Sequence, residues 1–357
     1  MNILYTASTA RHIQDFHLPI LARLCADGHS VTVACRDAGT LSGGFETLDI
    51  PYAKSFFSPR NVKAWTLLYT LLRRRFDRVL THTALAGFLT RSALMMAGKR
   101  DTVCVHTAHG YLFGRQAPLT GRLTYLFERL CAPVTDAVFT MNAEDFGYAQ
   151  KLVRRGGRVA AIPGMGVDLE RFRPARPGEK AELRRALELP EGILLIYAAE
   201  FSKRKNHTHL LSAMRLTPPG ITLLLAGDGT LREAMRRQAS KQGIGDRVRF
   251  LGYVPDMAPL LRACDGAVSS SFSEGLPHNV LEALSSGLPV AASRVKGHVD
   301  LLNSSCLFNP RNPAEIAARL QAMVEELQTS CCEDKGHLIY EKEEAADAFI
   351  RLFWEIQ

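Results

Sequence analysis

The feature that most constrains the fold is an alternation of short apolar runs and amphipathic segments that stops once and then starts again. Apolar runs at Ile3–Thr6, Ser30–Cys35, Arg78–Thr81, Thr102–Thr107 and Ala137–Met141 predict buried strands. Helical periodicity lies between them, as over Phe16–Cys25 and over Val62–Arg74, where Val62, Trp65, Leu68, Tyr69 and Leu72 share one face. The stretch IPGMGVDLERFRPARPGEK (162–180) then brings three prolines and three glycines without a sustained period, the mark of a connection between domains. Alternation resumes with GILLIYA (192–198), ITLLLA (221–226), Val248–Leu251 and Ala267–Ser270, and the chain closes on a helical pattern over Ala345–Ile356. Strands alternating with helices build parallel sheets. The pattern therefore predicts two doubly wound α/β domains, 1–163 and 179–340, joined by a hinge at 164–178, with a terminal helix in 341–357 packing back on the first. Ligands of such sheets bind beyond the carboxyl ends of the strands, so the expected site is a cleft between the domains.

The chain has 357 residues, 46% of them hydrophobic and 22% charged, as in ordinary soluble domains. The N-terminus MNILYTAS reads as a first strand and lacks the basic and long apolar regions of a signal peptide. No run approaches the roughly 18 apolar residues of a spanning helix. The eight cysteines are scattered in apolar runs without C-x-x-C or zinc spacing, which favours reduced core thiols; the adjacent Cys331 and Cys332 read as a helix-end or loop accident. Charge is uneven. Residues 1–165 hold 20 Lys and Arg against 11 Asp and Glu, whereas residues 166–357 hold 24 against 25. The basic excess, with Arg73–Arg75, Arg78, Lys99–Arg100 and Arg154–Arg155 among its sources, is either solvated helix surface or a face that meets something anionic. A negatively charged membrane leaflet qualifies. Nucleic acid is disfavoured, because no nucleic-acid motif accompanies the charge.

Several chemistries lack their signatures. No G-x-G-x-x-G follows the first strand, no P-loop is present, and no G-x-S-x-G elbow marks a hydrolase. An Asp-x-Asp pair for a divalent ion is also missing, so no metal site is expected. What remains is SEGLPHNVLEALSSGLPV (273–290). Here Pro277 fits the first position of a helix and Gly287 its stop, between a strand ending in small polar residues and an apolar strand. The N–H groups of His278, Asn279 and Val280 are then unsatisfied donors suited to a phosphate. Glu274 lies just before that helix and Glu282 more than a turn inside it. The spacing of the two glutamates by itself does not separate a working pair from solvated charges.

In its context the segment resembles the E-x7-E signature of retaining glycosyltransferases of the GT-B fold, in particular glycosyltransferase family 4. IPGMGVDLERFRP resembles that family's hinge, AAEFSKRKNHTHLLSAM (198–214) its donor-phosphate segment and LLLAGDGTLREAM (223–235) its G-D-G step. FLGYVPDMAPLLRACDGAVSSSFSEGLP and SRVKGHVDLL are similar to the stretches flanking the signature. In the first half, TASTARHIQDFHLPIL and VHTAHGYLF resemble members that build capsular, exopolysaccharide and O-antigen units. The resemblance implies a GT-B architecture of two Rossmann-like domains facing across a cleft.

It also implies roles. Lys205, assisted by Arg204, would neutralise the donor pyrophosphate, although adjacent side chains rarely point the same way. The family more often carries an arginine where this chain has Glu200, which puts a two-cation clamp in question. Glu274 would bind the hydroxyls of the transferred sugar and Glu282 the ribose. Gly275, Leu276, His278, Asn279 and Val280 would offer close-approaching backbone, Tyr253 and Val254 would lie against the base, and Ser8 and Thr9, in a loop after the first strand, would reach a phosphate. His109 would face the transferred sugar as a catalytic residue, with His12 and His17 shaping the acceptor side.

The implied reaction moves a sugar from a UDP-sugar, such as UDP-GlcNAc, UDP-GalNAc or another UDP-hexose, with its configuration retained and without a metal. The acceptor would be a polyprenyl-pyrophosphate-linked saccharide, reached by a cytoplasmic protein peripheral at the inner face of the membrane. Two rival readings are a sugar-nucleotide epimerase of the same fold and a non-catalytic subunit that binds nucleotide sugar.

Overall fold

The computed structural model describes residues 1–53, 55–98, 101–114, 121–327 and 339–356. Cys331, Cys332, Lys99 and Arg100 lie outside these. The chain divides into two compact units, Met1–Gly166 with Tyr340–Gln357, and Val167–Ile339. Each is a wholly parallel sheet with helices, so the fold is that of two Rossmann-like α/β domains, the GT-B class.

The first unit runs β1 (Asn2–Thr9), α1 (Ala10–Phe16), α2 (Leu18–Ala26), β2 (Ser30–Arg36), β3 (Glu46–Asp49), α3 (Arg60–Leu72), β4 (Arg78–His82), α4 (Ala84–Met96), β5 (Val103–Ala108), α5 (Gly121–Cys131), β6 (Ala137–Thr140), α6 (Ala143–Leu152) and β7 (Arg158–Ala161). Its seven strands lie in the order β3-β2-β1-β4-β5-β6-β7. The central strands are continuous apolar runs because both faces of a parallel sheet are covered, and Ile3, Leu4, Tyr5, Val79 and Cys104 are fully buried.

The helix expected over Phe16–Cys25 is instead two helices that share His17 as cap. Pro19, in the first turn of α2, has no N–H to continue α1. The His17 ring turns inward and hydrogen-bonds the Tyr5 hydroxyl at 2.7 Å. Arg78 is not part of an exposed basic face. It is buried, and its guanidinium donates to the carbonyls of Phe353 and Ile356 at 3.0 and 2.8 Å. It thereby caps the last helix of the chain, α14 (Lys342–Trp354), against this unit. Arg154 likewise pairs with Asp136. Arg73, Arg74, Arg75 and Arg155 are exposed.

The second unit runs α7 (Glu179–Ala186), β8 (Ile193–Ala198), α8 (His207–Met214), β9 (Ile221–Ala226), α9 (Arg232–Lys241), β10 (Val248–Gly252), α10 (Ala258–Ala263), β11 (Gly266–Ser269), α11 (His278–Ser285), β12 (Val290–Ser293), α12 (His298–Leu301), β13 (Leu307–Phe308) and α13 (Pro313–Leu327). The sheet order is β10-β9-β8-β11-β12-β13. α14 (Lys342–Trp354) then returns to the first unit and packs on α2.

Residues 164–178 hold no helix and no multi-residue strand, yet they are not a loose tether. Val167 and Phe172 are buried in the second unit's core beside Leu260, Leu281 and Leu302. Gly166 has φ +70°, and a Cβ there would stand 2.6 Å from Cα of Lys342 and 2.7 Å from the Glu341 carbonyl. The outgoing and returning chains touch at that glycine, which admits no side chain.

Candidate active site

In the second unit the site grows from the end of β8. The chain leaves the strand into a short 3₁₀ turn, Lys203–Lys205, and Asn206, in a left-handed conformation at φ 55°, redirects it into α8. The Asn206 amide donates to the carbonyls of Ser270 and Pro310. The Lys205 carbonyl accepts from the Tyr197 hydroxyl at 2.9 Å and from Ser270 Oγ at 3.1 Å. Both partners are buried, so the backbone carrying Lys205 is fixed.

Opposite lies the loop after β11, joined to this turn by the Phe272 N–H donating to the Arg204 carbonyl. Glu274, 8% exposed, receives two cations, one on each oxygen. Lys205 Nζ is 2.6 Å from Oε1 and Arg204 Nη1 is 2.9 Å from Oε2. Arg204 also donates to the Ser273 carbonyl. Adjacent cations do converge here, contrary to expectation: the Lys205 side chain approaches from the interior at 12% exposure, and that of Arg204 wraps in from solvent at 45%.

Burial pushes the Glu274 carboxyl up, but Lys205 and Arg204 outweigh it and hold the group down to about 2. For Lys205, burial pulls the ammonium down while Glu274 opposes the change. Each charge is kept by the other. Glu200 is exposed, and its charge favours the Lys205 ammonium.

α11 begins at His278, with Pro277 as its N-cap rather than its first helical residue. Val280 departs further from expectation. Its side chain is buried in the core and its N–H is bonded to the Pro277 carbonyl at 2.9 Å, so it is no donor for a ligand. A tight first turn satisfies that group internally. His278 and Asn279 are half-buried at the helix start, and Glu282 is half-buried on the fifth residue, about 6 Å further along the axis. Gly287, φ +75°, follows the last turn as its stop. Leu276 packs on the core through its side chain, so only its backbone can face a ligand. Tyr253 is exposed and Val254 packs on the core, both just beyond β10.

Two neighbours of Glu274 were not legible in sequence. Gly297, φ +81°, comes so close that a Cβ would lie 2.7 Å from the Gly275 carbonyl and 3.2 Å from Glu274 Cβ. His298, fully buried, is bonded through Nδ1 to the Ser293 carbonyl at 2.9 Å and is lowered to about 4 by burial, with Glu274 opposing. It is therefore a neutral ring behind the carboxylate.

In the first unit the two histidines of HTAHG go separate ways. His106 lies inside the fold, 2.9 Å from Thr81 Oγ1 and 3.8 Å from the Glu128 carboxylate, which itself pairs with buried Arg91 at 2.7 Å. His109 follows β5 at the carboxyl edge of the sheet and joins His12, His17 and His82. His82 Nδ1 is 3.2 Å from His109 Nε2, and the His12 and His109 rings are 4.7 Å apart. Burial lowers His12 to about 4 and His82 well below the ordinary value. His82, at the end of β4, was missed; its place at a strand's carboxyl end matches that of His109 and was the available signal.

Ser8 and Thr9 do not form a loop. Both belong to β1, where Ser8 Oγ meets Thr83 Oγ1 at 2.6 Å and Thr9 caps α1 by accepting the His12 N–H. The strand runs three residues beyond the apolar run Ile3–Thr6 because α1 starts directly from it, and both hydroxyls are engaged within the unit.

The described residues thus carry a buried carboxylate held by two cations beside a helix N-terminus in one unit, and a histidine cluster at a sheet edge in the other. Comparison with known proteins decides the family. Residues 17–165 match the glycosyl transferase 4-like domain and residues 179–333 match glycosyl transferases group 1. EpsD of Bacillus subtilis (strain 168), named as a glycosyltransferase, is 34% identical over 330 residues, covering 90% of this chain and 87% of EpsD. The chain belongs to the GT4-like, group 1 glycosyltransferases. The Escherichia coli UDP-Gal:alpha-D-GlcNAc-diphosphoundecaprenol alpha-1,3-galactosyltransferase is 28% identical over 306 residues, covering 80% of this chain and 76% of that one. Anabaena HepE, solved with UDP and glucose, superposes with a TM-score of 0.71 over 100% of this glycosyltransferase and 95% of HepE at 18% identity. At that identity the likeness speaks for the fold.

Proposed function

We propose that this glycosyltransferase moves a hexose from a UDP-sugar to a hydroxyl of a polyprenyl-pyrophosphate-linked saccharide, with retention and without a metal at the pyrophosphate. The observation that carries the reading is the Lys205–Glu274–Arg204 cluster beside the start of α11. Departure of UDP puts negative charge on a phosphate and positive charge on the sugar ring. Lys205, Arg204 and backbone at 275–279 would stabilise the first, and they do so more in the transition state than before it. Glu274, ionised, would accept bonds from sugar hydroxyls and Glu282 from the ribose, with Tyr253 and Val254 near the base. The bond from the anomeric carbon to the phosphate oxygen breaks as the acceptor oxygen bonds to that carbon, and the leaving phosphate takes the acceptor's proton. His109 would face the sugar. The names of the E. coli relative and of the HepE complex support a UDP-linked donor, and the former supports the lipid-linked acceptor.

The donor is tested by titrating UDP, GDP and ADP while following thermal unfolding. UDP at 100 times its Kd should add about 2.7 kcal/mol, and Lys205→Ala should weaken UDP binding by roughly 1.5–3 kcal/mol, the loss of a charge-assisted contact. A larger shift with GDP or ADP, or unchanged UDP affinity in the variant, would reject the donor assignment.

Peripheral contact with an anionic leaflet belongs to the same reading. Among the described residues no helix is long and apolar enough to cross a membrane. α5 instead exposes Leu123, Leu126 and Leu130 interleaved with Arg122 and Arg129. Apolar residues with flanking arginines suit the interface of a bilayer. Leu126→Glu should reduce co-sedimentation with vesicles containing phosphatidylglycerol at low salt. Equal binding to neutral and anionic vesicles would end this part of the proposal.

A further inference from the structure

The first unit concentrates imidazoles beyond what the transfer reaction needs. His12 on α1, His17 between α1 and α2, and His109 after β5 each offer a nitrogen, and these three lie within 4.8 Å of one another. Two stretches far apart in sequence, α1 with its cap and the end of β5, bring them together. His12 Nε2 is sealed from solvent without a hydrogen-bond partner among the described residues. A buried polar atom left so is costly unless something occupies its lone pair. The Tyr5 hydroxyl holds Nδ1 of His17 at 2.7 Å, and His82 holds Nε2 of His109 at 3.2 Å. Outer contacts of this kind fix the orientation of metal-bound imidazoles and tune their affinity.

We propose that His12, His17 and His109 form a binding site for a divalent transition-metal ion, Zn²⁺ above all. An all-nitrogen set favours Zn²⁺, Ni²⁺ and Cu²⁺ over Mg²⁺ and Ca²⁺, which take oxygen ligands. Three protein ligands leave a fourth position of the tetrahedron open. Nitrogens about 2.0–2.1 Å from zinc stand about 3.3–3.4 Å apart, so side-chain rotations that draw in the longest separation suffice. The site is remote in sequence from Lys205 and Glu274, which hold the donor without a metal at its pyrophosphate in the proposed reaction. An ion held here engages His109, so it inhibits transfer; this consequence alone rests on the role given to His109.

The test uses the full chain without an affinity tag. Co²⁺ serves as spectroscopic probe and Zn²⁺ competes for it, followed by calorimetry. The expected result is one Co²⁺ per chain with the visible absorption of a tetrahedral nitrogen site, displaced by Zn²⁺ and not by Mg²⁺. His12→Ala and His109→Ala should each abolish that band. Tyr5→Phe should weaken Zn²⁺ binding about 10–100-fold, the usual effect of losing an outer-shell partner. Circular dichroism of each variant checks folding, and His29→Ala, altering a histidine outside the cluster, should bind like the parent. No tetrahedral band, or a band that survives in both His12→Ala and His109→Ala, overturns the site. A band with undiminished transfer in the metal-bound protein leaves the site standing and overturns inhibition through His109.

Discussion

Glu274→Ala is expected to abolish transfer and to destabilise the second unit by roughly 3 kcal/mol, the scale of breaking a buried ion pair by removing one partner. Both effects have one origin. The carboxylate binds Lys205 at 2.6 Å and Arg204 at 2.9 Å in the free protein and is assigned to sugar hydroxyls in the complex. Its loss strands an ammonium whose side chain is only 12% exposed.

The pH dependence follows with a definite sign. The carboxyl titrates at about 2 in the fold against an ordinary 4.5. A depressed carboxyl contributes stability that is complete above the unfolded value and is lost as pH falls through the folded one. Unfolding free energy of the parent should therefore decline between about pH 5 and pH 2, and the Glu274→Ala protein should show a shallower decline. Urea unfolding at several pH values checks both. Identical slopes in parent and variant would mean that the pair does not form in solution.

Glu128→Ala is the second large effect, expected at about 3–5 kcal/mol in the first unit. Arg91, 1% exposed, donates through Nη2 to Glu128 at 2.7 Å and through Nε to the Gly87 carbonyl. Burial raises the Glu128 carboxyl, and the Arg91 guanidinium and His106 bring it below its ordinary range. Alanine removes the counter-charge and leaves a guanidinium enclosed between α4 and α5. Replacing both members by apolar residues of similar volume, Arg91→Met with Glu128→Leu, should recover most of the loss, because no charge is then stranded. Denaturant midpoints of the single and double variants measure this. A double variant as unstable as the single one would show that the ion pair contributes more than the desolvation it offsets.

What the sequence made legible follows from the physics of parallel sheets. Strands covered on both faces are unbroken apolar runs, so β1, β2, β4, β8 and β9 stood out. β3 (ETLD) lies at the sheet edge with three of its four residues exposed, and β13 has two residues; neither carries a periodic signal. One helix was expected where Pro19 divides two. At the site, the strand–loop–helix around Glu274 was readable from Pro277 and Gly287. The meeting of Glu274 with Lys205 and Arg204 was not, because it joins residues 69 and 70 positions apart. His82 lacked any motif, and its closeness to His109 depends on β4 and β5 being neighbours in the sheet.

The most direct test of the whole reading is a transfer assay. The protein is incubated with UDP-hexoses and UDP-N-acetylhexosamines together with a polyprenyl-pyrophosphate-linked N-acetylhexosamine, and the lipid product is examined by mass spectrometry and NMR. The expected result is release of UDP and a product one sugar longer with the α-anomeric configuration of the donor, absent with Glu274→Ala and His109→Ala. A β-linked product, a free epimerised nucleotide sugar, or full activity in the Glu274→Ala protein would contradict it.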